Sequence, residues 1–307
     1  MKMKMEPSEQ IVNEENKTLR IVTWNINGIR SRIFNNKTSA QLKKNKYISP
    51  EINSSISNLL LETNPDIICL QETRCDENIG KSMILPEYNS YFNCSKLQDA
   101  RGPNRYSGTA IYTKIIPNKV EYSVPEYNDQ EGRIIVMHFD DFVLINVYSP
   151  NSGTNYDNKI LFQDAILNFI NDLDKSIRVI YCGDFNMAID THFDKSKVLP
   201  CPGIYKHELD YYTLLKTIGM IDSKMKEDDI IYTWWDQRSK KINIPNTDKE
   251  TNIMRYKNRG WRLDYIFTSG FSYAKSKVLK HIGEENCPHS SDHAPVFCIL
   301  QYYNNNK

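Results

Sequence analysis

Eight apolar runs constrain this chain more than any other feature: LRIVTWNI (19–26), DIICLQE (66–72), GTAIYTK (108–114), RIIVMHF (133–139), FVLINVYS (142–149), RVIYCGDF (178–185), RLDYIFT (262–268) and PVFCILQY (295–302). Several are continuous β-branched and aromatic stretches, as expected of strands covered on both faces. Helical patterns lie between some of them. SPEINSSISNLLLET offers Ser49 as N-cap and Pro50 at the first helical position, with Ile52, Ile56, Leu59 and Leu60 on one face. NKILFQDAILNFINDLDK spaces Ile160, Leu161, Ala165, Phe169 and Ile170 in the same way. Runs 133–139 and 142–149 have no helix between them and read as a hairpin. Hairpins mixed with strand–helix–strand units predict an α/β fold: a four-layered α/β sandwich, two packed mixed β-sheets flanked by helices.

The chain of 307 residues shows no internal repeat and no long linker. The expected organisation is a tail over 1–17 without order and a single catalytic domain over 18–303. Two polar segments, 31–47 and 240–258, read as surface insertions. The N-terminus lacks the apolar stretch of a secretory signal, and no run of 18 apolar residues exists to span a membrane. The seven cysteines form no CxxC pair, and Cys69 and Cys182 lie inside strand-like runs. A reducing intracellular compartment, nucleus or cytoplasm, is expected. Net charge is +1, so an anionic partner has to be held by local patches. One candidate is 238–262, where Arg238, Lys240, Lys241, Lys249, Arg255, Lys257, Arg259 and Arg262 face only Asp248 and Glu250. It reads either as a solvated loop or as a grip on phosphates.

Polar residues cluster at strand ends. Asn25 and Asn27 end the first run, Glu72 the second; Tyr148 and Asn151 follow LINV; Asp184 and Asn186 end VIYCGDFN; Asp292 and His293 precede the last run. Singly, each has a plain reading: a solvated glutamate, an Asx-turn, a packed histidine. Together they place hard oxygen ligands and proton carriers at five strand ends, where α/β sheets bind ligands. Hydrolysis of a phosphate ester fits that set. Magnesium takes oxygen ligands and needs only one or two carboxylates, for which Glu72 is the natural choice, assisted by an Asn25 or Asn27 carbonyl. Asp184 or His293 can orient and deprotonate a water. Asp264, set inside an apolar stretch after Trp261 and Arg262, needs a partner, and His293 needs a carboxylate to fix its ring.

TWNINGIR, PDIICLQETRC, YSGTAIYT, DQEGRIIV, VYSPNSG, CGDFNMA, YTWWDQRSK, RGWRLDYIF and SDHAPV occur in that order from residue 20 to about 302. In these motifs the chain resembles the exonuclease III family of apurinic/apyrimidinic (AP) endonucleases, within the endonuclease/exonuclease/phosphatase superfamily. LQET, GDFN and SDHAP point only to the superfamily; WNINGIR with RGWRLDY points to the DNA-repair branch. The resemblance implies Glu72 on the metal, and Tyr148, Asn186 and Asn25 on the phosphate. It implies Asp184 as base or water orienter, Asp264 behind His293, and Asp292 in or beside the metal site. Asn25 and Asn27 join the metal set, and Asp184, Asn186 and His293 form a possible second site. Trp261, Trp234 and Leu263 correspond to the pocket for an extrahelical abasic sugar, with Arg30 and Asn151 as further DNA contacts. Some eukaryotic members carry aspartate where this chain has Asn27, and the bacterial type has asparagine.

The implied activity is magnesium-dependent cleavage of duplex DNA 5′ to abasic sites, with 3′-phosphodiesterase and 3′–5′ exonuclease activity on blocked 3′ ends. Manganese can substitute, and a monomer without membrane contact is expected. The alternatives are a superfamily phosphatase, an RNA-directed phosphodiesterase, or a catalytically weak nucleic-acid-binding protein.

Overall fold

The computed structural model describes residues 16–32, 54–99, 102–103, 106–153, 155–224, 232–239, 241–243, 250–282 and 291–303. Its strands are β1 (Asn16–Asn25), β2 (Ile67–Gln71), β3 (Asn89–Asn93), β4 (Gln98–Asp99), β5 (Gly102–Pro103), β6 (Thr109–Thr113), β7 (Lys119–Glu121), β8 (Ile134–His138), β9 (Phe142–Tyr148), β10 (Arg178–Asp184), β11 (Ile221–Asp222), β12 (Lys241–Asn243), β13 (Glu250–Asn252), β14 (Asp264–Ser269), β15 (Tyr273–Val278) and β16 (Val296–Tyr303). The helices are α1 (Ile29–Arg32), α2 (Ser54–Thr63), α3 (Glu77–Ser82), α4 (Tyr156–Asp172), α5 (Lys206–Thr217) and α6 (Ile253–Tyr256).

Two six-stranded mixed sheets carry the fold, in the orders β15-β16-β1-β2-β6-β3 and β11-β14-β10-β9-β8-β7. Each is built around one parallel pair, β1 with β2 and β10 with β9, flanked by antiparallel neighbours. The parallel strands explain the continuous apolar runs, because both of their faces are covered. Ile21, Ile67 and Ile111 of one sheet share a buried layer with Ile135, Leu144 and Ile180 of the other. Outside, α2 packs through Ile56 and Leu59 on the first sheet, and α4 and α5 pack through Phe162, Ile166 and Leu215 on the second. This is the four-layered sandwich the sequence implies. A buried amide bridge joins the sheets near the site: Gln71 Nε2 donates to Asn146 Oδ1 at 2.7 Å, and Asn146 Nδ2 donates to the Leu70 and Ala110 carbonyls. Among the described residues, no helix is long and apolar enough to cross a membrane.

Several expectations need correction. The tail ends earlier than residue 17: Asn16 and Lys17 belong to β1, paired with Tyr303 and Tyr302, and Lys17 is tied to Asp141 at 2.8 Å. Residues 1–15 lie outside the described residues, as do 33–53, which hold most of the first insertion and the Ser49–Pro50 cap. The second insertion is not featureless. β12 and β13 pair antiparallel within it, and α6 follows with Arg255 buried. Arg255 donates to the carbonyls of Lys280, Ser291 and Ile282, so its charge braces the loop instead of facing solvent. The buried face of α4 is also rotated from expectation. Lys159, Phe162, Gln163, Ala165, Ile166 and Ile170 point inward, while Leu161 is 60% exposed.

Arg262 is a second basic residue drawn inward. Its guanidinium lies 4.1 Å from the Tyr265 ring centre, donates to Asp190 at 2.8 Å, and grips Asp222 with two nitrogens at 3.1 and 2.5 Å. Removing it takes the guanidinium from two mostly buried carboxylates, leaving Asp190 with Lys224 and, among the described residues, Asp222 with only neutral donors, the Tyr212 hydroxyl and the Lys224 N–H. Arg262→Met should therefore cost about 3–5 kcal/mol of stability, read as a lower denaturant midpoint at unchanged slope. A loss under about 1 kcal/mol would place this cluster with ordinary surface pairs.

Candidate active site

The parallel pairs end on the same side of the molecule, and their last residues meet there. In β1–β2 the final register pair is Asn25 with Gln71, and Glu72 follows at once. In β10–β9 it is Asp184 with Tyr148, and Asp264 opens β14 opposite Asp184. The glycine before Asp184 is required locally. Gly183 has φ +139°, and a Cβ there would sit 1.9 Å from the Val147 carbonyl oxygen. Three candidate residues, Asn27 (φ +49°), Glu72 (φ +51°) and Asn186 (φ +46°), hold left-handed backbones just past their strands. Such backbones are uncommon outside glycine and concentrate at functional sites.

His293 occupies the centre. Its Nδ1 pairs with Asp264 Oδ2 at 2.8 Å, and its Nε2 lies 3.8 Å from Asp184 Oδ2. All three residues are buried. The Asp264 main-chain N–H donates to Thr233, its Oδ2 serves His293, and its Oδ1 has no partner among the described residues. That answers why an aspartate stands in GWRLDY: its side chain is committed to the histidine. Burial alone would depress the His293 pKa, but Asp264 and Asp184 outweigh it and lift it to about 10. Burial pushes Asp184 up to about 7; Asp264 adds to the rise, and His293 opposes it. Asp184 also accepts the Asn25 amide at 2.8 Å and the Asn186 backbone N–H at 2.9 Å.

Asn25 links the two halves, donating to Glu72 Oε1 at 3.1 Å as well as to Asp184. Its carbonyl oxygen accepts the Asn27 backbone N–H, so Asn25 turns its amide rather than its carbonyl toward the carboxylates. Tyr148 donates to Glu72 Oε1 at 2.8 Å, and Arg74 pairs with Glu72 Oε2. Burial holds the Tyr148 hydroxyl well above its ordinary pKa, with Glu72 adding to the effect, so it remains a neutral donor. Asn27 Nδ2 donates to Asp292 Oδ1 at 2.9 Å, and Trp234 Nε1 to Asp292 Oδ2 at 3.1 Å. Asn186 Nδ2 is held by the Ser149 carbonyl at 2.8 Å, and exposed Asn151 reaches Asn186 Oδ1 at 3.4 Å. Arg30 sits on α1, beyond the Asn27–Gly28 turn.

This donor set suits a hard divalent cation. Glu72 is linked to Asp184 through the Asn25 amide, Asp184 and Asp264 flank His293, and Asp292 is held by Asn27; all four carboxylates offer oxygen donors, with Arg74 on Glu72. Asp184, Asp264 and His293 offer ligand atoms within 4.8 Å of one another. Their internal pairing also makes them a proton-handling unit.

Beside them lies an apolar cluster. Trp234 and Trp261 meet edge to face at 5.9 Å, and both pack with Leu263, Ala188, Ile204 and Phe193. Gly203 (φ +95°) lies flat against Trp261, where a Cβ would come within 2.8 Å of the ring. The backbone of Trp234 bridges to both Trp261 and His293, so the two indoles are tied directly to the histidine. Phe193, Gly203 and Ile204 were missed in the sequence. They lie in an aperiodic loop whose only signals were its prolines and glycine.

A family model described as the Endonuclease/Exonuclease/phosphatase family matches residues 22–293. The chain is 30% identical over 293 residues to an exodeoxyribonuclease of Bacillus subtilis (strain 168), covering 92% of this chain and 99% of that protein. It is 32% identical over 290 residues to recombination repair protein 1 of Drosophila melanogaster, covering 91% of this chain; it spans only 36% of the fly protein. Among solved structures, AP endonuclease LMAP from Leishmania major aligns with a TM-score of 0.67 at 21% identity, over 93% of this chain and 88% of that one, a likeness of fold. The chain belongs to the endonuclease/exonuclease/phosphatase family, alongside its exonuclease III-type AP endonucleases. It is accordingly a hydrolase, of a family that is generally metal-dependent.

Proposed function

We propose that this chain is a magnesium-dependent repair endonuclease that hydrolyses the phosphodiester 5′ to an abasic site in duplex DNA and trims blocked 3′ ends. The observation that carries the reading is the partly exposed Trp234–Trp261 pair, whose backbone bridges directly to His293 of the His293–Asp264–Asp184 unit. A sugar lacking its base leaves the stack at lower cost than a paired nucleotide, and an apolar surface of two indoles accepts it. The two sheets contribute to one site and so act as a single catalytic unit.

In this mechanism Asp184, carried at the end of β10, accepts the proton of the attacking water. His293, held by Asp264, presents Nε2 to the phosphoryl group and stabilises its developing charge. The Asn186 amide, with one N–H beyond the bond to Ser149, and the Tyr148 hydroxyl, on leaving Glu72, donate to the phosphate oxygens. Glu72 is the main residue that would hold magnesium, with Asn27 and Asp292 as further donors, and the ion would supply charge neutralisation at the phosphoryl and leaving oxygens. Glu72→Gln should accordingly lose most activity at limiting magnesium and recover part of it at high magnesium, because the defect is one of affinity. Activity equal to the parent's at limiting magnesium would remove Glu72 from that role.

The substrate class is tested by offering four substrates side by side: duplex with one abasic analogue, intact duplex, RNA and inositol phosphates. The abasic duplex should be cut at least ~100-fold faster than the others, since leaving buried recognition groups unmatched discriminates at that scale or beyond. Trp261→Ala should reduce abasic cleavage more than 3′-end trimming. Preference for RNA or inositol phosphates would overturn the reading.

A further inference from the structure

Lys159 is fully buried, yet it stands on the first turn of α4, where exposed polar residues are the norm. A buried ammonium is costly to maintain, and an apolar side chain of similar length would pack there at lower cost. Its hydrogen bonds go to two main-chain carbonyls, Phe185 O at 2.5 Å and Asn186 O at 3.3 Å. Those carbonyls form the turn immediately after Asp184. The turn is strained, since Asn186 is left-handed at φ +46°. On its outer side the Asn186 N–H holds Asp184 Oδ1 and the Asn186 side chain holds Ser149 O. Lys159 is thus the inner anchor of a turn whose outer groups face the reaction. Its charge is balanced at a distance by buried Glu208 and by Asp184. Glu208 in turn accepts Ser152 Oγ at 2.6 Å and the Tyr205 N–H at 2.9 Å, fastening the Asn151 loop to α5.

We propose that Lys159 is a positioning residue for hydrolysis: its ammonium fixes the Phe185–Asn186 carbonyls and so sets Asp184 and Asn186 on the reacting phosphate. The inference rests on the hydrolytic role proposed above for Asp184 and Asn186. Lys159 is buried and its ammonium reaches main-chain carbonyls, so it acts through the turn. Displacing the turn should therefore damage the chemical step and leave ground-state binding of the duplex intact.

The test compares the full-length parent with Lys159→Met and Lys159→Arg. With abasic-analogue duplex at saturating magnesium, Lys159→Met should lower kcat about 30- to 100-fold, the penalty of misplacing a catalytic group by an ångström or less. KM should stay within about threefold. Lys159→Arg keeps a cationic donor and should recover part of the lost kcat. Amide hydrogen exchange gives a readout that needs no substrate. In Lys159→Met the Asn186 amide should lose protection, while β9, β10 and β14 keep theirs. A kcat within about threefold of the parent would overturn the proposal, as would protection lost uniformly across those strands. If Lys159→Met does not fold, Lys159→Gln, which drops the charge and shortens the reach, carries the same comparison. A parent that cleaves no abasic duplex would sink the functional reading instead. The exchange of the Asn186 amide would still decide whether Lys159 holds the turn.

Discussion

His293→Ala should lower kcat about 10³- to 10⁴-fold, the scale seen when a histidine of a proton-handling unit is removed. Asp264→Asn should cost about 10²-fold or more, because the ring loses the carboxylate that fixes its orientation. The double variant should be no more than about threefold slower than His293→Ala alone, since the two act as one group. Fully multiplicative losses would break the pairing that the 2.8 Å contact implies. The pH dependence follows from the same geometry. His293 is lifted to about 10 by Asp264 and Asp184 in spite of its burial, so it carries its proton across neutral pH. A raised histidine is charged below its folded pKa and loses that charge as pH rises through it. Asp264→Asn takes away part of the lift. Its kcat should therefore begin to fall at a lower alkaline pH than the parent's. An unmoved alkaline limb would mean that His293 does not act as the cation.

Asp184→Asn should be the other severe variant, slowing turnover about 10³- to 10⁴-fold, toward the upper end of what a positioned general base contributes. Its stability should change far less. Asp184 is buried, and burial has pushed its pKa up to about 7, so the carboxylate is held ionised against a desolvation cost. An amide of the same shape removes that cost but keeps one acceptor: the Asn186 N–H bonds Oδ1 and the Asn25 amide bonds Oδ2, so one of these donors loses its partner, and His293 loses a nearby counter-charge. The relieved desolvation and the lost bond oppose each other, so the melting temperature should stay within about 3 °C of the parent's while activity collapses. Lost activity accompanied by a larger fall in melting temperature would make Asp184 a structural residue.

Much of this site was legible because β-strands end abruptly. A polar residue at the edge of a continuous apolar run has few places to be other than a strand mouth, so Glu72 and Asp184, which close runs, and His293, which precedes one, stood out. The sheets were legible for the same reason. What the sequence hid depended on tertiary packing. α5 went unseen because only Glu208, Tyr211 and Leu215 of its twelve residues are buried, too thin a stripe to read as periodic. On α4 the pattern placed Leu161 inside, whereas the fold turns Lys159 inward to reach the carbonyls after β10. Counting charges over 238–262 suggested a phosphate grip, yet Arg255 and Arg262 are spent on carbonyls and aspartates. A basic residue and its buried partner can lie tens of residues apart, and composition cannot see the pairing.

The central claim is that this chain opens duplex DNA at a missing base, and product mapping on one labelled duplex tests it most directly. The substrate carries a single abasic analogue and a 5′ label on the damaged strand, and it is incubated with magnesium or with a chelator. The account predicts one metal-dependent product, ending in a 3′-hydroxyl immediately 5′ to the lesion, with the intact control uncut at that position. Cleavage on the 3′ side of the lesion, cutting that survives the chelator, or equal cutting of the intact duplex would contradict it.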